Sequence, residues 1–227
     1  MLVKNWMSQN LITIQQDDSM HDAASLLKEH HIRMLPVMKN DQLVGIITDR
    51  DLRSASASKA TALEMHELVY LISQLKVKEI MSKDPITIPM DYTVEETTEE
   101  LLKNRINGAP VVDHNAKVIG VITQTDILKA LISLTGLTRS SIHFGFILAD
   151  QSGSIKIVTD IIRKYGGRIS SILGTYENAP DGYRYVYITA FDLDPSIMNS
   201  LKDELRINAE LSYLIDRREG KREFFNA

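Results

Sequence analysis

The sequence contains no cysteine, which excludes a disulfide scaffold, an iron–sulfur cluster, a thiolate zinc site and a cysteine nucleophile. It also has no long apolar run: stretches such as 145–149 and 68–72 fall far short of the roughly 20 residues that span a bilayer. No transmembrane helix is therefore expected. The leading residues MLVKNWMSQN hold no apolar core of a secretory signal, so the cytoplasm is the expected compartment. Nor is one charge in excess: 26 Lys+Arg stand against 30 Asp+Glu, a formal net charge of -4. That balance lacks the concentrated basic face a nucleic-acid backbone requires. The one basic cluster, Arg217, Arg218, Lys221 and Arg222, is interrupted by Glu219 and Glu223 and reads as a solvated tail over 217–227. What is present is 44% hydrophobic residues over 227 positions, enough for a sizeable core and for one large or two modest domains.

The first half is an internal repeat. Residues 3–37 and 77–111, offset by 74, share 12 identities in 35 positions, among them Val3/Val77, Met7/Met81, Ser8/Ser82, Thr13/Thr87, Ile14/Ile88, Pro36/Pro110 and Val37/Val111. After one extra residue in the second copy the offset becomes 75, and the segment from Val44 to Leu52 faces that from Ile119 to Ile127. The slip falls between two expected strands, where a turn absorbs it. Each copy reads as a short β-rich run (11–14; 86–88), a polar capping cluster (Asp17-Asp18-Ser19; Asp91-Tyr92-Thr93), a helix, two strands around a turn, and a second helix after Thr48 or Thr123. In the first helix Ala23, Leu26, Leu27 and His30 have amphipathic spacing. Residues 59–76 between the copies read as a helical connector with Leu63, Leu68, Leu71, Ile72 and Leu75 as an apolar stripe. Such a stripe is a core or dimer seam rather than a cofactor box.

The repeated signature G-h-h-T-x-x-D, with Gly45/Thr48/Asp51 and Gly120/Thr123/Asp126, is the most informative feature. A strand that ends in Thr and turns into a helix places a hydroxyl and free backbone amides at the helix start. The Asp one turn later can accept hydrogen bonds from a ribose cis-diol. The competing reading is local: Thr caps the helix and Asp complements its dipole. Recurrence at equivalent positions of otherwise diverged copies favours the ligand.

On these residues the tandem units resemble a pair of cystathionine-β-synthase-type (CBS) domains, an α/β regulatory module that binds adenosyl compounds. The resemblance covers roughly residues 1–135, with copy one at 1–58 and copy two at 77–135. It implies that Asp51 and Asp126 hold ribose hydroxyls and that Thr48 and Thr123 lie near ribose or phosphate. Thr13-Ile14 and Thr87-Ile88, with Pro36-Val37 and Pro110-Val111, would frame the base. The residues five and six positions before each Pro-Val pair would face phosphate: His30 and His31 in copy one, Asn104 and Arg105 in copy two. For the two histidines the alternative is an exposed helix end. Arg50 and Arg53 are further phosphate candidates, and Gln124 and Thr125 replace the charge in copy two. The two clefts are thus expected to differ in phosphate affinity. The implied ligand is an adenine nucleotide (AMP, ADP or ATP), S-adenosylmethionine or an NAD-type molecule, bound as a signal and not as a required cofactor.

From residue 140 the pattern changes. A strand over 142–149, a helix over 155–165, strands over 168–177 and 183–191, a helix over 195–205 and a strand over 210–215 give the order βαββαβ. This α+β order resembles an ACT domain, a ferredoxin-like module that often binds amino acids at a dimer interface, here over 140–216. Its ligand loop typically reads D-x-P-G; this chain has Asp150-Gln151-Ser152-Gly153, without the proline, and Arg168 where an Asn is common. Asp150 and Gly153 are the candidate effector site, and the alternative is a dimerisation module. A CBS pair followed by an ACT domain resembles bacterial regulators of the acetoin-utilisation type.

No catalytic constellation is evident. The six histidines lack metal-ligand spacing and the serines lack a nucleophile-elbow motif. The expectation is a non-enzymatic sensor, a homodimer acting on a partner protein, with neither nucleic acid nor membrane as partner. The rival is a homodimeric scaffold that binds no small molecule.

Overall fold

The computed structural model describes residues 1–59, 75–137 and 140–225. The connector stripe at Leu63, Leu68, Leu71 and Ile72 lies outside these residues. Contacts divide the chain into two units, Met1–Leu128 and Lys129–Ala227.

In the first unit, β1 (Ile14–Gln15) is followed by α1 (Met20–Glu29), β2 (Met34–Lys39), β3 (Gln42–Thr48) and α2 (Asp49–Lys59). After α3 (Val77–Ile80) and β4 (Ser82–Lys83) the order returns as β5 (Ile88–Pro89), α4 (Val94–Lys103), β6 (Gly108–Val112), β7 (Val118–Thr123) and α5 (Gln124–Thr135). The capping clusters act as expected. The Ser19 hydroxyl accepts from the Asp22 amide at 3.1 Å while the Ser19 amide donates to the Asp22 carboxylate at 3.1 Å. Thr93 and Glu96 repeat this reciprocal pair at the start of α4. His30 does not join the apolar face of α1, which buries Met20, Ala23 and Leu27; it is the exposed C-cap.

The opening strands are shorter than 11–14 and 86–88 suggest, because only two residues of each pair in parallel with the next strand: Ile14 with Val37, and Ile88 with Val111. The one-residue slip lies in the turn. Asn40 and Asp41, both with positive φ (48° and 62°), close the β2–β3 hairpin in two residues, as a primed turn requires. The longer β6–β7 turn is held by Asp113, whose carboxylate accepts from the Asn115 and Lys117 amides at 2.9 Å each.

Each repeat builds its sheet with a segment of the other. The Val77 and Lys78 amides donate to the carbonyls of Asp18 and Gln16 in copy one, and β4 pairs with β3 through Gly45 and Ile46. Reciprocally, the Val3 and Lys4 amides donate to the carbonyls of Tyr92 and Met90 in copy two, and Ser8 bridges Val121. Val77, fully buried, belongs to the core of Ile14, Leu27, Leu35, Val37 and Ile47, while Val3, also fully buried, belongs to that of Ile88, Leu101, Val111 and Ile122.

In the second unit, β8 (Ile142–Ala149), α6 (Ser154–Lys164), β9 (Arg168–Thr175), β10 (Tyr183–Phe191), α7 (Met198–Asn208), β11 (Glu210–Asp216) and β12 (Lys221–Phe224) follow in order, with a 3-10 turn at Pro195–Ile197 before α7. The sheet runs β12-β11-β8-β10-β9, each neighbour antiparallel. Alternation in β8 sends Ile142, Phe144, Phe146 and Leu148 to a core closed by Val158, Ile162, Leu201 and Leu205 of the two helices. Gly153 precedes α6 at φ 91°, a conformation that favours glycine.

The segment from 217 onward is not merely a solvated tail. Lys221–Phe224 pairs with β11, and Arg218 turns back to bond the buried Asp216 carboxylate at 2.6 to 3.2 Å and the Leu193 carbonyl. Alternating charge hid the strand, because an edge strand presents charge outward.

Candidate functional site

The repeated signature forms the same small structure twice. In copy one the Thr48 amide and hydroxyl both donate to Oδ2 of Asp51, at 2.8 and 2.6 Å, and the Asp51 amide reaches the Thr48 hydroxyl oxygen at 3.4 Å. In copy two the Thr123 amide and hydroxyl donate to Oδ2 of Asp126 at 3.0 and 2.7 Å. All four residues are half-buried. The carboxylate therefore caps its own helix start through one oxygen. Oδ1 of Asp51 takes no hydrogen bond among the described residues, and an ionised carboxylate has further acceptor capacity.

The other expected residues divide by side-chain burial. Thr13 and Thr87 are half-buried. Ile14, Val37, Ile88 and Val111 are core side chains and Pro36 and Pro110 are buried. Any role of these six in framing a base rests on their backbone, because their side chains are already used in packing. On the polar side, Arg50 is exposed and the Arg53 guanidinium bonds the Asp49 carbonyl at 3.2 Å. His31 and Arg105 share a left-handed backbone (φ 52° and 54°) just after their helices, and both side chains are exposed, as is His30. That conformation is costly without glycine, and both copies nevertheless retain a nitrogen-bearing side chain there. Asn104 is turned back, donating to the carbonyl and carboxylate of Glu100 at 2.8 and 3.1 Å.

Two glycines of the signature have a role the sequence reading missed. A Cβ at Gly45 would lie 2.6 Å from Met81 Sδ and 2.8 Å from the Ser82 carbonyl; one at Gly120 would lie 2.6 Å from the Ser8 carbonyl and 2.9 Å from Met7 Sδ. The signal was available, since an isolated glycine inside a strand marks close backbone approach.

In the second unit Asp150 is exposed, accepts from the Tyr176 hydroxyl at 3.2 Å and faces Arg184 Nε at 3.8 Å; Arg184 also reaches the Ser154 hydroxyl at 3.4 Å. Asp150 and Gly153 thus flank the start of α6 beside a largely buried guanidinium. Sequence reading had no means to add Arg184, which comes from β10.

Among the described residues no cluster of His, Asp and Glu could hold a metal ion, and no helix is long and apolar enough to cross a membrane.

Comparison with known proteins places the CBS domain family on residues 3–58 and 77–133. A CBS domain-containing protein of Dictyostelium discoideum is 37% identical over 134 residues, 59% of this chain and 92% of that protein. The inosine-5′-monophosphate dehydrogenase of Korarchaeum cryptofilum is 32% identical over 124 residues, but the match spans only 23% of its length. Among solved structures, a CBS domain pair in complex with 5′-methylthioadenosine and S-adenosyl-L-methionine aligns with TM-score 0.50 and 32% identity, over 58% of this chain and 99% of that one. A CBS-pair protein of Arabidopsis thaliana aligns with TM-score 0.51 and 26% identity, over 60% and 98% of the two chains.

Proposed function

The chain belongs to the CBS domain family as a tandem pair, and from that premise we propose that it is a regulatory sensor of an adenosyl ligand. An adenine nucleotide, AMP, ADP or ATP, is the ligand class. The observation that carries this reading is the duplicated Thr–Asp cap: the same strand end, the same hydroxyl and the same half-buried carboxylate occur in both repeats. In copy one the Asp51 carboxylate keeps its cap through Oδ2 and turns Oδ1 toward ribose; Asp126, capped in the same way through Oδ2, holds the equivalent place in copy two. The similar pair bound to 5′-methylthioadenosine and S-adenosylmethionine supports the adenosyl class.

The clefts divide by charge. Copy one offers His30, His31, Arg50 and Arg53 to phosphate, and copy two offers Arg105 with uncharged Gln124 and Thr125. The second unit acts as an ACT module; its βαββαβ order and its β11-β8-β10-β9 sheet support that reading. Its effector, a small carboxylate or amino acid, would sit at Asp150 and Gly153 beside Arg184. The protein works as a cytoplasmic homodimer that passes the signal to a partner protein and does no chemistry itself. Pairing is supported by α5, which leaves Leu128, Leu131 and Ile132 at 57%, 51% and 61% exposure where the first repeat carries Arg53, Ser56 and Ala57.

One observation favours the scaffold reading: the Thr–Asp bonds already account for both residues as helix caps. A thermal-shift screen of the full chain against AMP, ADP, ATP, NADH and S-adenosylmethionine separates the two. A ligand at a hundredfold excess over its Kd adds about 2.7 kcal/mol to stability, a shift of several degrees. A shift with one or more adenosyl compounds is expected; none with any of them, in protein free of copurified ligand, would establish the scaffold.

A further inference from the structure

We propose that the exchanged segments position the ligand-bearing strands, so that each cleft is tuned from the opposite repeat; this rests on the adenosyl reading above. Met81 and Ser82 belong by sequence to copy two yet lie against Gly45 of copy one, while Met7 and Ser8 belong to copy one and lie against Gly120 of copy two. Ser82 pairs with Ile46 and Ser8 with Val121, the latter through reciprocal bonds of 2.9 and 3.1 Å. Gly45 and Gly120 each precede by three residues the Thr whose amide and hydroxyl hold the Asp carboxylate.

The spacing makes the coupling short. β3 carries the exchanged segment, the strap, at Gly45 and Ile46, β7 carries its counterpart at Gly120 and Val121, and each strand ends in the capping Thr three residues after the glycine. The fit is tight: at each glycine a Cβ would come within 3.0 Å of both a backbone oxygen and a thioether sulfur. A shift of the strap thus moves the strand, and with it the amide and hydroxyl that orient Oδ2. Beyond the strap the chain runs directly on to β5 from Met81-Ser82 and to β1 from Met7-Ser8, so the segment that steadies one cleft leads into the sheet of the other. Met7, Ser8, Met81 and Ser82 are positioning residues that act through Thr123 and Thr48, and touch no ligand themselves.

The test uses the full chain with Met7→Ala and Met81→Ala, each with a Met→Leu counterpart that conserves volume. Amide hydrogen exchange without ligand reads Thr48 and Asp51 against Thr123 and Asp126. Titration with ATP, in Asp51→Asn and Asp126→Asn backgrounds that isolate each cleft, reads affinity. The expected pattern is crossed: Met7→Ala speeds exchange at Thr123 and Asp126 and weakens ATP in the Asp126 cleft by about 2- to 30-fold, Met81→Ala does the same for Thr48, Asp51 and the Asp51 cleft, and leucine restores both. Effects that stay within the mutated repeat, that spread equally over both, or that speed exchange while ATP affinity holds, overturn this inference and leave the sensor reading intact. If no adenosyl compound binds the unmodified chain, both fall together.

Discussion

In the C-terminal unit Phe144, Phe146, Val158, Ile162, Val186, Ile188, Leu201 and Leu205 belong to one contiguous core whose buried members all lie within residues 142–214. In the tandem pair neither repeat completes its core alone: Val77 finishes that of copy one and Val3 that of copy two. The difference bears on what each can report. A self-contained core depends on its own segment of chain, whereas each interlocked core depends on a residue supplied by the other repeat, so a change in one repeat is felt in the core of its neighbour.

The largest expected effect breaks the self-contained side. Phe144→Ala, at a fully buried ring, is expected to cost about 3–5 kcal/mol, read by urea denaturation, with hydrogen exchange rising across β8, β10 and β11. Next come Val3→Ala and Val77→Ala, each about 2 kcal/mol from lost burial and residual cavity. They sharpen the comparison because exchange protection should fall in the opposite repeat: around Ile88 and Val111 for Val3→Ala, around Ile14 and Val37 for Val77→Ala.

A smaller effect concerns Asp216. Its hydrogen bonds from Arg218 hold the carboxyl below the usual range. The folded value is depressed, so this contribution is present above the unfolded value of about 3.9 and is lost as pH falls through the folded one. Asp216→Asn should cost about 1–2 kcal/mol near neutral pH, discounted because Arg218 is partly exposed, and should flatten the acid limb of the C-terminal melting profile. The smallest effect is at His143, half-buried between Tyr187 and Tyr213 with Nδ1 3.0 Å from the Thr189 hydroxyl oxygen. Burial holds its pKa below the usual value. The neutral ring is favoured in the folded state, so stability is full above about pH 6.5 and declines as pH falls below it. A Tm for this unit that drops slightly on acidification, and does so less in His143→Phe, is the expected result.

Much of the fold was legible because its signals are local. The Ser19 and Thr93 capping clusters and the strand over 142–149 each concern residues a few positions apart, and the repeat emerges when the chain is compared with itself. The exchange of Val3 and Val77 was not legible, since a segment of three to seven residues has no periodicity that says which of two similar cores it enters. The strand at Lys221–Phe224 was missed for a related reason: edge strands and solvated tails share the same charged composition. At the candidate site, the Thr48–Asp51 and Thr123–Asp126 pairs stood out by their repetition and form the same cap twice, whereas the burial of Ile14, Val37, Ile88 and Val111 depends on packing from elsewhere in the chain.

The central claim is that Asp51 and Asp126 hold a ligand as well as a helix. Isothermal titration of the full chain with the adenosyl compound giving the largest thermal shift, against the double variant Asp51→Asn/Asp126→Asn, tests it directly, because asparagine keeps an acceptor for the cap and removes the charge. The account predicts saturable binding in the unmodified chain and a loss of about tenfold or more in affinity with Tm of the ligand-free variant nearly unchanged. Unchanged affinity in the double variant would contradict it and leave the two carboxylates as helix caps alone.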